Sequence, residues 1–204
     1  MRISAFRPLA MAAFAVAVFT GPACADAPDP AVATVQNFYD TLLDTMKHGS
    51  ELGMKGRYDK LKPAVEQDFD LHDMIALAAG SSWSTMSPSD QQKLQDAFER
   101  MTIANYAKNF DSFDNQKFVV DPKPVPRGAD KVVQSKLVMP GQTVSFGYRM
   151  RNVGGSWKIL DIYLTGTISQ LAVQRSEYGA TIAAGGASLL TKKLNEQADR
   201  LMGG

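Results

Sequence analysis

VSFGYRMRNVGGSWKILDIYL, residues 144–164, contains two apolar runs separated by a Val-Gly-Gly turn. Phe146, Tyr148 and Met150 occupy alternate positions of the first run, and the same alternation resumes at Trp157 in the second. Successive side chains of a β-strand point to opposite faces, and glycine favours tight turns. The stretch therefore predicts two antiparallel strands with a short connection.

Two further segments with period two precede this pair, at residues 118–120 and 132–138, and Pro- and Gly-rich turns separate them. The short connections predict a four-stranded antiparallel meander. Apolar residues instead recur with a helical period from about residue 31 to residue 110, and again over 168–182 and 187–202. Helices, then strands, then helices is an α+β order.

Local start and stop signals support these helices. Asp70 is placed to cap a short helix that ends at Gly80, and Ser87 followed by Pro88 predicts the start of a long one. A helix beginning near residue 31 is expected to end at Gly49, and the next to begin near residue 57. The tandem glycines at 185–186 predict a bend or interruption between the two closing helices.

Composition excludes several classes of protein. The 204 residues carry 22 Lys+Arg against 21 Asp+Glu, with one cysteine and two histidines. Near-zero net charge excludes a strongly basic nucleic-acid binder, so no nucleic-acid partner is expected. One cysteine excludes a disulfide framework and a cysteine-based zinc site. This composition favours binding over catalysis.

Residues 1–25 have the layout of a secretory signal peptide. Arg2 and Arg7 precede an apolar run over residues 9–19, and Ala23-Cys24-Ala25 matches a small-residue cleavage site. The run is shorter than the roughly 20 residues that span a bilayer, although retention as an anchor is the alternative. Cleavage would leave residues 26–204 as a single exported domain without cysteine, with the periplasm as its expected location.

Motifs for catalysis and for metal or cofactor binding are scarce. No glycine-rich nucleotide fingerprint, P-loop, nucleophile elbow or HExxH pattern occurs. Asp68, Asp70, His72 and Asp73 cluster in sequence, but helix capping explains Asp70 and Asp73 and the loop lacks the glycine typical of calcium sites. We therefore expect no metal site, no cofactor and no catalytic residue.

Asp161 interrupts an otherwise apolar strand and has two interpretations. A carboxylate inside a sheet-lined cavity can act as a general base, with Tyr148 or Tyr163 as proton donor. The alternative is a structural aspartate, paired with an arginine such as Arg149 or Arg175. The excess of methionine and aromatic residues is similarly ambiguous, because such residues line adaptable cavities but also fill ordinary cores.

A longer pattern resembles a known family. FYDTLLDTM, the Gly80-x-x-Trp83 pair before the Ser-Pro helix, AFERMTIANYA and the stretch from Trp157 to residue 194 are similar, in this order, to the MlaC/toluene-tolerance family of exported lipid-shuttle proteins. The resemblance covers about residues 31–200. The run GRYDKL and the Ser-Pro-x-Asp-Gln-Gln variant most resemble the HpnM branch, which is associated with hopanoid biosynthesis.

The resemblance implies an NTF2-like antiparallel sheet wrapped by N- and C-terminal helices, with an apolar cavity between them. It implies a non-enzymatic periplasmic carrier of a hopanoid or a phospholipid, with a membrane-bound ABC-type transport complex and an outer-membrane component as partners. Asp161, Gly166 and Arg175 match family motif positions and are expected to be structural, around the cavity mouth. The residues expected to contact lipid are Phe38, Leu42, Met74, Trp83, Phe98, Met101, Phe146, Tyr148, Ile162, Leu171 and Tyr178.

Two other function classes remain open on the residues alone. An NTF2-like isomerase or dehydratase would use Asp161 as its base and would need that carboxylate directed into a substrate-sized pocket. A non-lipid interaction scaffold would have a filled core and an exposed apolar patch instead.

Overall fold

The computed structural model describes residues 27–203, so the predicted signal peptide lies outside the described residues. Within this part of the chain there are five α-helices and six strands. The helices before the sheet are α1 (Pro30–Lys47), α2 (Gly49–Asp68), α3 (Leu71–Ala79) and α4 (Pro88–Asn109), with a 3₁₀ turn, Gly80–Thr85, between the last two. A long helix, α5 (Gln170–Gly203), closes the chain.

The strands form one antiparallel sheet in the order β1-β3-β4-β5-β6, and β2 also pairs with β3. They are β1 (Lys117–Val120), β2 (Val125–Arg127), β3 (Asp130–Met139), β4 (Gln142–Val153), β5 (Ser156–Leu164) and β6 (Ile168–Ser169). The α+β prediction is confirmed, and all four predicted strands are present. The two extra strands contain only three and two residues, too few for a period to be read from sequence.

The helix starts follow the predicted capping chemistry. The Asp70 side chain accepts a hydrogen bond from the Asp73 amide at 3.1 Å, and the Ser87 hydroxyl accepts one from the Asp90 amide at 3.1 Å. Each bond satisfies an amide that has no partner within its helix. The first helix is capped in the same way by Asp29.

Two long helices contain interruptions. α2 begins at Gly49 rather than near residue 57, and its path is broken at Gly53, whose φ is +59°. The segment between Gly49 and residue 57, which was expected to be an irregular link, is therefore helical on both sides of Gly53. α5 is continuous except at Gly185 and Gly186, which adopt non-helical backbone angles, so the predicted bend is confirmed.

The core lies between one face of the sheet and the helices, and α1 supplies many of its buried residues. Tyr39 of this helix is buried, its ring stacks on Phe118 at 4.0 Å between centroids, and its hydroxyl hydrogen-bonds Ser135 at 2.6 Å. Burial raises the pKa of Tyr39 to about 12, so the hydroxyl stays protonated. Within residues 27–203, no helix combines the length and the apolar character needed to cross a bilayer.

Candidate functional site

A cavity of about 320 Å³ lies beneath the first half of α5, between that helix, α3, α4 and the end of β5. Aromatic and aliphatic side chains form most of its wall: Phe69, Met74, Phe98, Met101, Tyr106, Ile162, Val173 and Tyr178. Small-molecule sites in proteins are largely apolar and occupy ~300–1,000 Å³. The cavity therefore has the size and the lining of a small binding site.

Polar groups complete the wall, mainly along one face of α5. Gln170, Gln174 and Glu177 recur at helical spacing there and face Thr102 and Asn105 of α4. Among residues 27–203, the Oε1 atom of Gln174 is the buried side-chain oxygen that lacks a hydrogen-bond partner. A ligand with a hydroxyl or amine near its polar end could donate to that oxygen.

Packing between elements positions the aromatic wall. Phe69 follows the end of α2 and forms an isolated parallel bridge with Ile159, while the Asp70 amide donates to the Ile159 carbonyl at 2.9 Å. This pairing fixes the end of α2 against the sheet. The Phe69 ring meets Tyr106 edge-on at 5.7 Å. Burial raises the pKa of Tyr106 far above its ordinary value, which keeps this part of the wall uncharged.

The structure brings five of the predicted lipid contacts together at this cavity. Met74 comes from α3, Phe98 and Met101 from α4, Ile162 from β5 and Tyr178 from α5. Phe98 and Tyr178 meet edge-on at 6.4 Å between ring centroids. Their role in binding a ligand stays a prediction.

The other six predicted contacts lie elsewhere. Phe38, Leu42 and Tyr148 are buried in the packed core, and Phe146 is half-buried beside Tyr148. Two more lie outside both groups: Trp83 is half-buried on the 3₁₀ turn, and Leu171 lines a separate pocket at the start of α5. The eleven residues thus do not form a single wall.

Sequence reasoning missed several lining residues that a stricter use of helical spacing would have found. Starting from Phe98, positions three, four, seven and eight residues along α4 include Met101, Thr102, Asn105 and Tyr106, and all of them line the cavity. Phe69 had no such signal, because it stands in an extended segment between two helices.

Asp161 is fully engaged in local structure. Its Oδ1 accepts the Ile162 amide at 2.8 Å and the Leu171 amide at 2.9 Å, and its Oδ2 accepts the Ser169 hydroxyl at 2.6 Å. These bonds join β5 to the first turn of α5. The neighbouring Ile162 lines the cavity, so Asp161, one position away on the strand, points to the opposite face. The geometry favours the structural interpretation, with amides and a hydroxyl as partners where an arginine had been expected.

Asp70, His72 and Asp73 offer ligand atoms within 4.8 Å of one another. Asp70 caps α3, and His72 Nδ1 lies 3.1 Å from Asp73 Oδ1. Local hydrogen bonding thus accounts for this cluster.

Comparisons with known families and solved structures identify proteins related to this chain. The model of the MlaC protein family matches residues 36–196. The chain belongs to the MlaC family. Among solved structures, it is similar to a phospholipid-binding protein from Ralstonia solanacearum, solved in complex with a phospholipid, at a TM-score of 0.75 and 26% identity, over 85% of this chain and 99% of the other. A comparison with curated protein sequences found no match.

Membership of the MlaC family agrees with the resemblance drawn from the sequence, and the match includes α3, α4, β5 and the first half of α5, which border the cavity. The assignment to the HpnM branch stays a prediction.

Proposed function

We propose that this MlaC-family chain is a lipid-binding carrier and that the cavity beneath α5 holds the hydrocarbon part of its cargo. The observation that carries the proposal is the cavity whose apolar side is formed by Met74, Phe98, Met101, Ile162 and Tyr178. The phospholipid complex of the Ralstonia relative, a protein of the same fold, supports the same ligand class.

The physical requirement on such a carrier is simple. Each methylene group exposed to water costs about 0.8 kcal/mol, so an acyl chain crosses an aqueous space only inside a dry enclosure. The chemistry needs a cavity and a way of opening it, and no nucleophile or cofactor. Methionine suits a variable acyl chain because its side chain is flexible and polarizable.

The proposal places the carrier in the periplasm, where it would pass lipid between an outer-membrane component and a membrane-bound ABC-type transport complex. The layout of residues 1–25 supports export. The phospholipid bound to the Ralstonia relative supports a phospholipid as the cargo, and the resemblance to the HpnM branch suggests a hopanoid as the alternative.

Cavity occupancy can be tested by transfer of a fluorescent phospholipid from vesicles to the purified protein, together with mass spectrometry of lipid that co-purifies. Thr102 is half-buried in the cavity wall, so Thr102→Trp should place an indole in the cavity and reduce transfer severalfold. Lys108→Trp is the matched control, because Lys108 is exposed on the same helix outside the cavity. It should transfer lipid like the parent protein.

Absence of both co-purifying lipid and transfer in the parent protein would overturn the carrier proposal. Equal transfer by the two tryptophan variants would instead remove the cavity beneath α5 as the binding site. Competition with unlabelled hopanoid and unlabelled phospholipid then identifies the cargo, because the preferred lipid displaces the probe at the lower concentration.

A further inference from the structure

A second pocket, of about 400 Å³, lies on the opposite side of the junction between β5 and α5. Four arginines line it: Arg127 of β2, Arg149 and Arg151 of β4, and Arg175 of α5. We refer to it as the arginine pocket. Strand pairing brings the first three together, because β2 and β4 both pair with β3, where Arg127 is opposite Asp130 and Arg149 is opposite Val132.

The positive charge of the arginine pocket is only partly neutralised. Asp130, which is 4% exposed, bonds Arg149 Nε at 2.6 Å and Arg151 Nε at 3.0 Å. Burial by itself would raise the pKa of Asp130, but hydrogen bonds from Arg151 and Arg149 have the larger combined effect. The pKa of Asp130 is therefore below its ordinary value, and the carboxylate stays ionised. Asp73 lies 3.7 Å from Arg151.

Two of the arginines form no ion pair within the described residues. Among residues 27–203, no carboxylate lies within ion-pair distance of Arg127 or Arg175. Arg127 donates to the Tyr163 hydroxyl and lies over its ring at 5.4 Å, which holds the guanidinium at the pocket. Asp161 also lines the pocket and accepts hydrogen bonds from amides and a hydroxyl. Neutral donors do not cancel the charge of a carboxylate, so Asp161 offsets part of the positive charge of the pocket.

Guanidinium groups are planar, permanently charged and able to donate two parallel hydrogen bonds, a geometry that matches phosphate oxygens. Each carries five N–H donors, so Arg149 and Arg151 retain donors beyond those used on Asp130. Tyr163 adds a hydroxyl group to the wall, and its proton is free to donate because its oxygen accepts from Arg127. We propose that the arginine pocket binds a phosphate group.

The phosphate can come from two sources, inorganic phosphate or a lipid headgroup. The arginine pocket and the cavity beneath α5 are lined by neighbouring residues of the chain. Asp161 and Arg175 line the arginine pocket, whereas the adjacent Ile162 and Gln174 line the cavity. Consecutive Cα atoms are about 3.8 Å apart, so the two sites are near neighbours. The headgroup source rests on the proposed carrier function, whereas the phosphate site itself does not.

The first experiment measures inorganic phosphate binding to the full chain by isothermal titration calorimetry. Arg127→Gln and Arg175→Gln should each weaken phosphate binding by about tenfold or more, since each removes a charge-assisted contact. Arg200→Gln is the matched control, because Arg200 is exposed near the end of α5 and outside the arginine pocket. Circular dichroism verifies that all three variants are folded.

The second experiment compares binding of a short-chain phosphatidic acid with that of the diacylglycerol of the same acyl length. A preference for phosphatidic acid that disappears in Arg127→Gln and Arg175→Gln identifies the headgroup as the source. Equal binding of both lipids by every protein, with phosphate binding still lost in the two variants, identifies free phosphate.

The site is overturned if the parent protein shows no saturable binding at millimolar phosphate, or if Arg127→Gln and Arg175→Gln bind phosphate as tightly as Arg200→Gln does. Phosphate binding without binding of either lipid would leave the site standing while the carrier proposal fails.

Discussion

Single residues in this protein owe their roles to their hydrogen-bond partners more than to their chemical type. Asp161 could have been a general base, yet its two oxygens accept three hydrogen bonds that fasten α5 to β5. The buried Asp161 carboxylate therefore holds the start of α5, the helix that covers the cavity, against β5. The sequence carried the residue type but could not show where the three donors would lie.

Replacement of Asp161 tests this structural role. Asp161→Ala leaves two amides and a hydroxyl without their acceptor, and we expect the free energy of unfolding to fall by about 2–4 kcal/mol. Urea denaturation measures the change. Ser169→Ala removes one donor to Asp161 and also the acceptor of the Ala172 amide, and should cost about 1–2 kcal/mol. An Asp161→Ala protein as stable as its parent would contradict the assignment.

Asp68, at the end of α2, gives a pH dependence of the opposite sign to that of most carboxylates. It is 7% exposed, and burial raises its pKa to about 6 despite the nearby Lys158. The folded protein therefore holds this proton more tightly than the unfolded chain, whose aspartates titrate near pH ~4. The contribution of Asp68 to stability is thus greatest below pH ~4 and falls as the pH rises through about 6.

Asp68→Asn should remove that slope and raise the free energy of unfolding by about 1–2 kcal/mol at pH 7.5. Urea denaturation between pH 4 and pH 8 compares it with the parent. Asp114→Asn, at an exposed position, is the control and should leave the curve unchanged. A parallel pH profile for Asp68→Asn and parent would show that burial does not raise this pKa.

At the scale of elements, α5 divides into two halves with different packing. The second half packs Leu190, Leu194 and Ala198 into the interior, and Asp199 bonds Arg100 of α4 at 2.6 Å. The first half buries only Tyr178 while it covers the cavity. The kink therefore joins a second half that is packed into the interior to a first half that has few buried residues and lies over the cavity.

The kink depends on Gly186, whose φ of +73° and ψ of −173° lie in a region that other residues rarely adopt. Gly186→Ala should lower the free energy of unfolding by about 1–3 kcal/mol and change the rate of lipid transfer. Gly179→Ala is the matched control in the regular first half, where an added Cβ meets nothing within 4 Å. Alanine there should be neutral or stabilise by about 0.5–1 kcal/mol.

Gly186→Ala with unchanged stability and unchanged transfer would show that the kink is not required. Transfer kinetics from labelled vesicles and urea denaturation supply the two measurements.

At the scale of the whole molecule, the apolar residues separate into a packed core and a cavity wall. Leu42 on α1 is fully buried in the core, whereas Met101 on α4 lines the cavity. Both positions look alike in sequence, as large apolar residues on amphipathic helices. Only the tertiary packing around each residue separates filling from lining.

Leu42→Ala should therefore lower the free energy of unfolding by about 2–5 kcal/mol, because it empties space in a packed core. Lipid transfer per folded molecule should stay at the parent value, which combined urea denaturation and vesicle assays would measure. Thr102→Trp should give the reverse pattern, with transfer reduced severalfold and stability nearly kept. Loss of transfer by folded Leu42→Ala would place Leu42 at the ligand after all.

The α+β order, the main strands, the caps at Asp70 and Ser87 and the bend at Gly185 and Gly186 followed from the sequence, since each depends on residues within one or two turns of chain. The MlaC family was likewise recognisable from ordered motifs. Tertiary structure alone decided which apolar residues border a cavity and which face Asp161 occupies. It also brought arginines from three distant segments into one pocket. Periodicity records which side of an element is apolar, but packing decides what that side meets.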